Sequence, residues 1–291
     1  MNLNQNFSSF FQKIRMDKGT TDKVDYRRHQ IMSTINDCYR GYSNPVHYFY
    51  AGSYGRNTAI FTSDIDLICI LPPSVYSRFD RYTYNGQSAL LQEVKNVLSD
   101  RYPRTEMSGD GQVVCVDFSD GISFEIVPSF RLENGMYCYP DTHYGGSWKF
   151  MDPTAELNEM DRLDYEYGGI VRNVCRSIRV WNYENNVRMP GCVIDASVYD
   201  FIMKKYFLFG NNVSYIDIFR DYFDYLHQYD YQLGWFMPGS NNIVYKTHSW
   251  LTKSAKARDS LNLLKYHLTT GSTIEVYNIL RDIFGSKFPI F

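Results

Sequence analysis

Apolar residues in the first forty positions recur at three- and four-residue intervals: Phe7, Phe10, Phe11 and Ile14, then Ile31, Ile35, Cys38 and Tyr39. That spacing predicts two helices, with Thr20-Thr21-Asp22 supplying the N-cap of the second and Gly41-Tyr42-Ser43-Asn44-Pro45 ending it. Beyond Pro45 the period shortens. Residues 46–51, 65–71, 113–118 and 122–127 are short, rich in β-branched and aromatic side chains and bounded by Gly, Pro, Asp and Ser, so they read as strands. Ser119-Asp120-Gly121 between the last two is a hairpin signal. Residues 88–98 place Leu90, Leu91, Val94, Val97 and Leu98 on one helical face. A loop rich in Gly, Pro and aromatics covers 139–153, and past it the strand signal fades. Residues 154–183, 195–208, 214–228, 248–270 and 273–284 favour helix. The expected fold class is α+β, in two lobes: residues 1–148, a mixed sheet with helices that include the N-terminal pair, and residues 149–291, a helical C-terminal lobe.

Composition narrows the classes of function. The 291 residues carry 30 Lys+Arg against 32 Asp+Glu, a formal charge of −2, so wholesale coating of nucleic acid is excluded and any phosphate must be gathered by a local patch. With 44% hydrophobic and 21% charged residues the chain is globular. Its apolar runs fall far short of the roughly 18 residues of a membrane helix. The opening Met1 to Met16 lacks the pattern of a secretory leader; a cytoplasmic protein with no membrane partner is expected. Six scattered cysteines include no CxxC pair, and six scattered histidines form no HExxH, which argues against zinc hydrolysis. GxSxG, GxxxxGK[ST] and GxGxxG are all absent.

The informative stretch is Gly52-Ser53-Tyr54-Gly55-Arg56-Asn57-Thr58 followed by Ser63-Asp64-Ile65-Asp66-Leu67. Two residues apart on a strand, Asp64 and Asp66 leave one face about 6.5 Å apart at the backbone, while Ile65 and Leu67 point into the core. Glu125, between Phe124 and Ile126, is another isolated charge in an apolar strand. If the strands pair, three carboxylates converge into a hard-oxygen set suited to magnesium, with manganese as the alternative ion. Two such ions about 3.5–4 Å apart serve an in-line phosphoryl displacement. The Gly-Ser turn leaves the first strand and opens a short helix, so its amides and the Ser53 hydroxyl can face an anion. Gly52 lets the backbone approach closely.

A Gly-Ser turn, a hydrophobic-flanked Asp-x-Asp and a later strand acid together resemble the DNA polymerase beta type nucleotidyltransferases. The longer forms GSYGRNT and SDIDL are similar to the bacterial cGAS/DncV-like nucleotidyltransferases, the CD-NTases. The resemblance extends through Phe124-Glu125-Ile126-Val127-Pro128, the 140–148 loop, Arg179-Val180-Trp181-Asn182, Gly191-Cys192-Val193-Ile194-Asp195, Pro238-Gly239-Ser240 and Ile283-Phe284-Gly285-Ser286-Lys287-Phe288-Pro289. Glu125 stands where many members have Asp. The resemblance implies a polymerase-beta-like core with a helical lobe closing the cleft. The implied reaction joins nucleoside triphosphates (ATP, GTP, UTP or CTP) into a cyclic di- or trinucleotide with loss of pyrophosphate. It further implies a role in bacterial anti-phage signalling through a separate effector. No zinc-binding insert is visible, so obligatory double-stranded DNA is not expected.

Asp64, Asp66 and Glu125 are the implied metal-binding and catalytic residues, and Gly52, Ser53, Arg56 and Arg179 the implied nucleotide contacts; Tyr54, Arg176 and Asp195 are secondary candidates. Arg172, Arg176 and Arg179 fall at helical spacing, a basic stripe opposite Val171, Val174, Cys175, Ile178 and Trp181. Tyr144 and Trp148 could stack on a base, and Lys246, Lys253, Lys256, Arg258 and Lys265 form a diffuse positive region. Two other readings compete: transfer of one nucleotide to a small-molecule, protein or RNA acceptor, and a silent nucleotide-binding regulator. Intact Asp64, Asp66, Glu125 and Ser53 argue against the latter.

Overall fold

A computed structural model describes residues 3–62, 64–205 and 214–289. The chain divides into two compact units, a sheet unit of Asp17–Arg56 and Thr62–Ala155, and a helical unit of Asn57–Phe61 with the described parts of Met1–Met16 and Glu156–Phe291.

In the sheet unit, α2 (Lys18–Arg40) is followed by β1 (Tyr48–Tyr50), the one-turn α3 (Gly52–Gly55), β2 (Ile65–Ile70), α4 (Pro73–Asp80) and α5 (Gly86–Arg101). Strands β3 (Glu106–Asp110), β4 (Val113–Asp117), β5 (Ser123–Arg131), β6 (Tyr137–Asp141) and β7 (Ser147–Met151) complete it. The strand order is β1-β2-β5-β4-β3, with β6 pairing β5 and β7. β2 and β5 run parallel, with Asp66 opposite Glu125 and Leu67 opposite Ile126. Ile65, Leu67, Val114, Val116, Phe124 and Ile126 are fully buried. Their alternation with polar residues turns a second face of β2, β4 and β5 away from the core.

The helical unit contains α1 (Leu3–Lys13), α6 (Pro153–Glu166, from Glu156 on), α7 (Ile170–Glu184), α8 (Gly191–Lys205), α9 (Tyr215–Gln228), α10 (Leu251–Thr270) and α11 (Thr273–Phe284). Phe7 and Phe10 of α1 pack edge-on or tilted against Phe219, Phe284 and Phe288 at 4.9–5.9 Å between ring centroids, counting the Phe219–Phe284 contact. These rings pull α1 into the helical unit, whereas the expected boundaries grouped residues 1–148 together.

Several expected elements differ from those formed. Asp17, not the Thr20 cluster, caps α2, its carboxylate accepting from the Thr20 amide at 2.9 Å. The helix expected over 154–183 breaks at Gly168 and Gly169, both at positive φ, into α6 and α7. Strands β6 and β7 occupy the expected 139–153 loop, and β8 (Gly234–Phe236) and β9 (Ile243–Tyr245) form a hairpin where no strand is predicted. The last three residues of the 195–208 helix, and Ser63, lie outside the described residues. Cys38 and Cys192 are exposed, unlike buried Cys69, Cys138 and Cys175. No helix among the described residues is long and apolar enough to cross a membrane.

Candidate active site

The parallel register of β2 and β5 follows from their apolar alternation, because slipping one residue would expose Leu67 and Ile126. It brings Asp66 and Glu125 side by side on the outward face. Their carboxyl groups share a hydrogen bond, and Glu125 is pushed up to about 7, first by burial and then by the negative charges of Asp66, Asp64 and Asp110. Asp64 stands just before β2; desolvation and the neighbouring charge of Asp117 raise its pKa. The sheet face therefore gathers more acid than three residues supply. Cys115 lies opposite Glu125, and Asp117 opposite Ser123, whose hydroxyl it accepts. Asp110 and Asp117 were not singled out from the sequence, although the alternation of Val114 and Val116 with Cys115 and Asp117 already assigns their face.

The Gly-Ser turn is bound to this cluster. The amide of Ala51 donates to the Asp66 carbonyl at 2.9 Å, which ties the end of β1 to β2 just before α3 begins. Gly52 has φ +53, and a Cβ there would lie 1.7 Å from Asp66 Oδ2. Only glycine allows the turn to sit on the carboxylate. The turn of Gly52, Ser53 and Tyr54 thus opens directly beside the Asp66 carboxylate. Further along, the Gly55 and Arg56 amides close onto Ala51 and Gly52 at 2.7 and 3.1 Å. Tyr54 packs edge-on against Tyr50 at 4.7 Å, and Arg56 is buried.

The chemistry of the donors fits a hard divalent cation: carboxylate oxygens, crowded until one is driven toward its protonated form, are relieved by a positive ion. Among the described residues no three His, Cys, Asp or Glu side chains already stand arranged as a ligand set. Asp66 and Glu125 are paired across the two strands, and Asp64 stands one residue before β2, near enough for its charge to act on Glu125.

Arg176, Arg179 and Asp195 lie in the helical unit, and the structure does not present them as an open basic face. Arg179 is 9% exposed and Asp195 fully buried. Arg179 Nη2 lies 2.8 Å from Asp195 Oδ2, 2.9 Å from the Gly191 carbonyl and 3.4 Å from Thr58 Oγ1. Arg176 donates to the carbonyl of Asn57 and to its Oδ1 at 2.8 Å; burial, then the positive charge of Arg15, lowers its pKa to about 10. Arg172 pairs with Asp161 and Asp164. Helical spacing detected the stripe but could not show its cover, part of which, Asn57 and Thr58, comes from more than a hundred positions earlier. Of the diffuse lysines, Lys246 pairs with Asp230 and Lys265 with Asp217. Trp148 donates to Asp80 and packs on Tyr76 and Phe130, whereas Tyr144 is fully exposed.

This architecture is that of solved CD-NTases. Escherichia coli CdnC, solved with ATP, is 15% identical with a TM-score of 0.69, covering 98% of both chains. CdnG of Bradyrhizobium diazoefficiens, in complex with GTP, gives 11% identity and a TM-score of 0.68 over 99% of this chain and 96% of that one. At such identities the likeness concerns the fold. Sequence supplies the family: residues 1–163 match the Second Messenger Oligonucleotide or Dinucleotide Synthetase domain, and the chain belongs to that family. It is also similar to a probable cyclic nucleotide synthase of Bacillus cereus, 23% identical over 214 residues, 69% of this chain. That match spans 62% of the relative's own length.

Proposed function

We propose that the protein is a metal-dependent nucleotidyltransferase that joins nucleoside triphosphates into a cyclic di- or trinucleotide second messenger. The observation that carries the reading is the pairing of Asp66 with Glu125 under the Gly52 turn. Asp66 and Glu125, joined by Asp64, would hold magnesium or manganese. Bound there, the ion supplies neutralisation of phosphate charge and a lowered pKa for the attacking hydroxyl. The turn at Gly52 and Ser53 receives the triphosphate through amides and hydroxyl, and so orients the α-phosphorus. A ribose hydroxyl of the second nucleotide attacks that phosphorus, the bond to the bridging oxygen of pyrophosphate breaks, and the hydroxyl proton passes to a basic oxygen of the carboxylate cluster or solvent. Further attacks of the same kind, one for each remaining linkage and each releasing a pyrophosphate, lengthen the chain and close the ring. ATP and GTP, the nucleotides in the CdnC and CdnG structures, are the first substrates to try. The ring would act on a separate effector in anti-phage signalling, in the cytoplasm and without obligatory double-stranded DNA. The family and the similarity to a cyclic nucleotide synthase favour this over transfer of a single nucleotide to an outside acceptor.

Incubating the pure protein with labelled triphosphates and magnesium, then phosphatase, tests the proposal. A phosphatase-resistant product made without added acceptor is expected, and Asp66→Asn should abolish it while the circular dichroism spectrum is retained. Label lost entirely to phosphatase under every triphosphate mixture would exclude ring synthesis.

A further inference from the structure

Between α7 and α8 the chain reads Asn185-Asn186-Val187-Arg188, with Asn186 at φ +47 and Arg188 at φ +63, a left-handed conformation that an arginine rarely adopts. Asn182 holds this turn. Its carbonyl accepts from the Val187 amide at 3.0 Å, its Oδ1 from the Met189 amide at 2.7 Å, and its side-chain amide donates to the Met189 carbonyl at 3.0 Å. Val187 is buried in the core, which turns Arg188 outward. Against the turn stands the start of α10, and between them, wholly within the helical unit, lies a cavity of about 490 Å3 lined by Val187, Arg188, His248, Trp250 and Lys253 together with Asn186 and Ser249.

The charges on this wall are of one sign. Elsewhere in the unit Lys204, Lys265, Arg162 and Arg258 face carboxylates. Arg188 and Lys253 face neutral oxygens instead: Arg188 Nε donates to Asn186 Oδ1 at 3.3 Å and Lys253 Nζ to the Asn185 carbonyl at 3.0 Å. Among the described residues no Asp or Glu lines the cavity. Asp230, which accepts from the Ser249 hydroxyl at 2.9 Å, is already paired with Lys246. Lys253 also occupies the first turn of α10, which carries no acid, although the helix dipole there favours negative charge and disfavours positive. The rest of the wall is fixed. His248 Nδ1 lies 2.9 Å from Thr247 Oγ1, and its Nε2 lies 2.9 Å from the Val187 carbonyl and 3.0 Å from the indole nitrogen of buried Trp250. Two cations on one concave wall, backed by an apolar indole, raise its potential above that of an open surface.

We propose that this cavity is a binding site for a diphosphate group, with Arg188 and Lys253 as its charged contacts. The guanidinium offers a planar fork and the ammonium a point charge, the pair of donors that phosphate oxygens take. Two cations match an anion of at least two charges, and the volume lies in the range of small-ligand sites. Free pyrophosphate and the tail of a nucleoside diphosphate or triphosphate share this chemistry. The site does not rest on the nucleotidyl-transfer reading: it stands whether or not Asp66 and Glu125 hold a metal.

The test titrates the full chain with pyrophosphate in EDTA, read by isothermal calorimetry. Without a cation the carboxylates around Glu125 repel phosphate, so a single binding event is expected, with Kd of about 1 mM or below. Arg188→Gln combined with Lys253→Gln should raise that Kd about tenfold or more, since two charge-assisted contacts become neutral ones. Gly52→Ala should leave it unchanged. Parallel titrations with ATP and AMP separate the two sources: ATP binding as tightly as pyrophosphate, with AMP weak, identifies a nucleotide tail, whereas pyrophosphate binding alone identifies the free anion, and either sustains the site. No saturation by pyrophosphate at about 10 mM, or a Kd in the double variant within about twofold of wild type, would overturn the proposal. Binding lost in Gly52→Ala and kept in the double variant would also overturn it, placing the anion at the Gly-Ser turn. Should the double variant fail to fold, Lys253→Gln alone must raise the Kd at least about threefold, and an unchanged value sinks the site. Failure of the wild-type protein to release pyrophosphate from triphosphates and magnesium would count against nucleotidyl transfer and leave this titration as it stands.

Discussion

Gly52 and Glu125 set the chemistry that single residues impose on this face. A methyl group at position 52 would overlap Asp66 Oδ2 at 1.7 Å while the backbone holds φ +53, so Gly52→Ala must push either the turn or the carboxylate aside. Loss of about 100-fold in product formation is expected, the scale of an ångström's misplacement at a reacting centre, read by a radiolabelled turnover assay. Glu125 gives a pH signature. Its pKa in the folded protein is raised from an ordinary 4.5 to about 7, so folding favours the protonated acid. The metal-free protein is therefore penalised as pH rises through this interval: the cost is absent below 4.5 and complete above 7. In EDTA, Glu125→Gln should raise Tm at pH 8, by about 2–4 °C for each kcal/mol relieved, and leave it unchanged at pH 4.5. Saturating magnesium should reverse the order at pH 8, because only the wild-type carboxylate gains by binding. Differential scanning fluorimetry at the two pH values checks both arms.

At the scale of elements, α1 behaves as part of a unit whose other helices begin more than 150 residues later. Phe10 is fully buried against Phe11, Phe284 and Phe288. Phe10→Ala should cost about 3–5 kcal/mol of stability, seen as a lower denaturant midpoint with the helical signal lost earliest. The apolar period of α1 was plain in the sequence, but its partner was not. Periodicity tells which face is buried and nothing about what buries it. Strands β2, β4 and β5 were legible because β-branched residues alternate with polar ones over five or more positions. In β6 and β7, Pro140, Lys149 and the glycines between them mask the alternation, and three residues each in β8 and β9 are too few to show a period. Site residues divide the same way. Asp66 and Glu125 were legible as charges interrupting apolar strands. Helical spacing showed Arg176 and Arg179 as one basic face, read as nucleotide-facing at Arg179, but not that Asn57 and Thr58, far away in sequence, and Gly191 and Asp195 cover it.

For the whole molecule, the order of elements along the chain has a bearing on synthesis. Among the described elements the ribosome releases α1 before the others, yet its aromatic face meets Phe284 and Phe288 of the last described stretch. The sheet unit is fully synthesised by Ala155 and can assemble early, in the usual vectorial order. During the rest of translation α1 carries exposed rings, and residues 57–61 await Arg176, Arg179 and Asp195. The nascent chain thus holds its acid cluster before it can hold the segment between the turn and that cluster in place. A truncated translation product would carry the acid cluster of the sheet unit without the helical residues that hold Asn57 and Thr58.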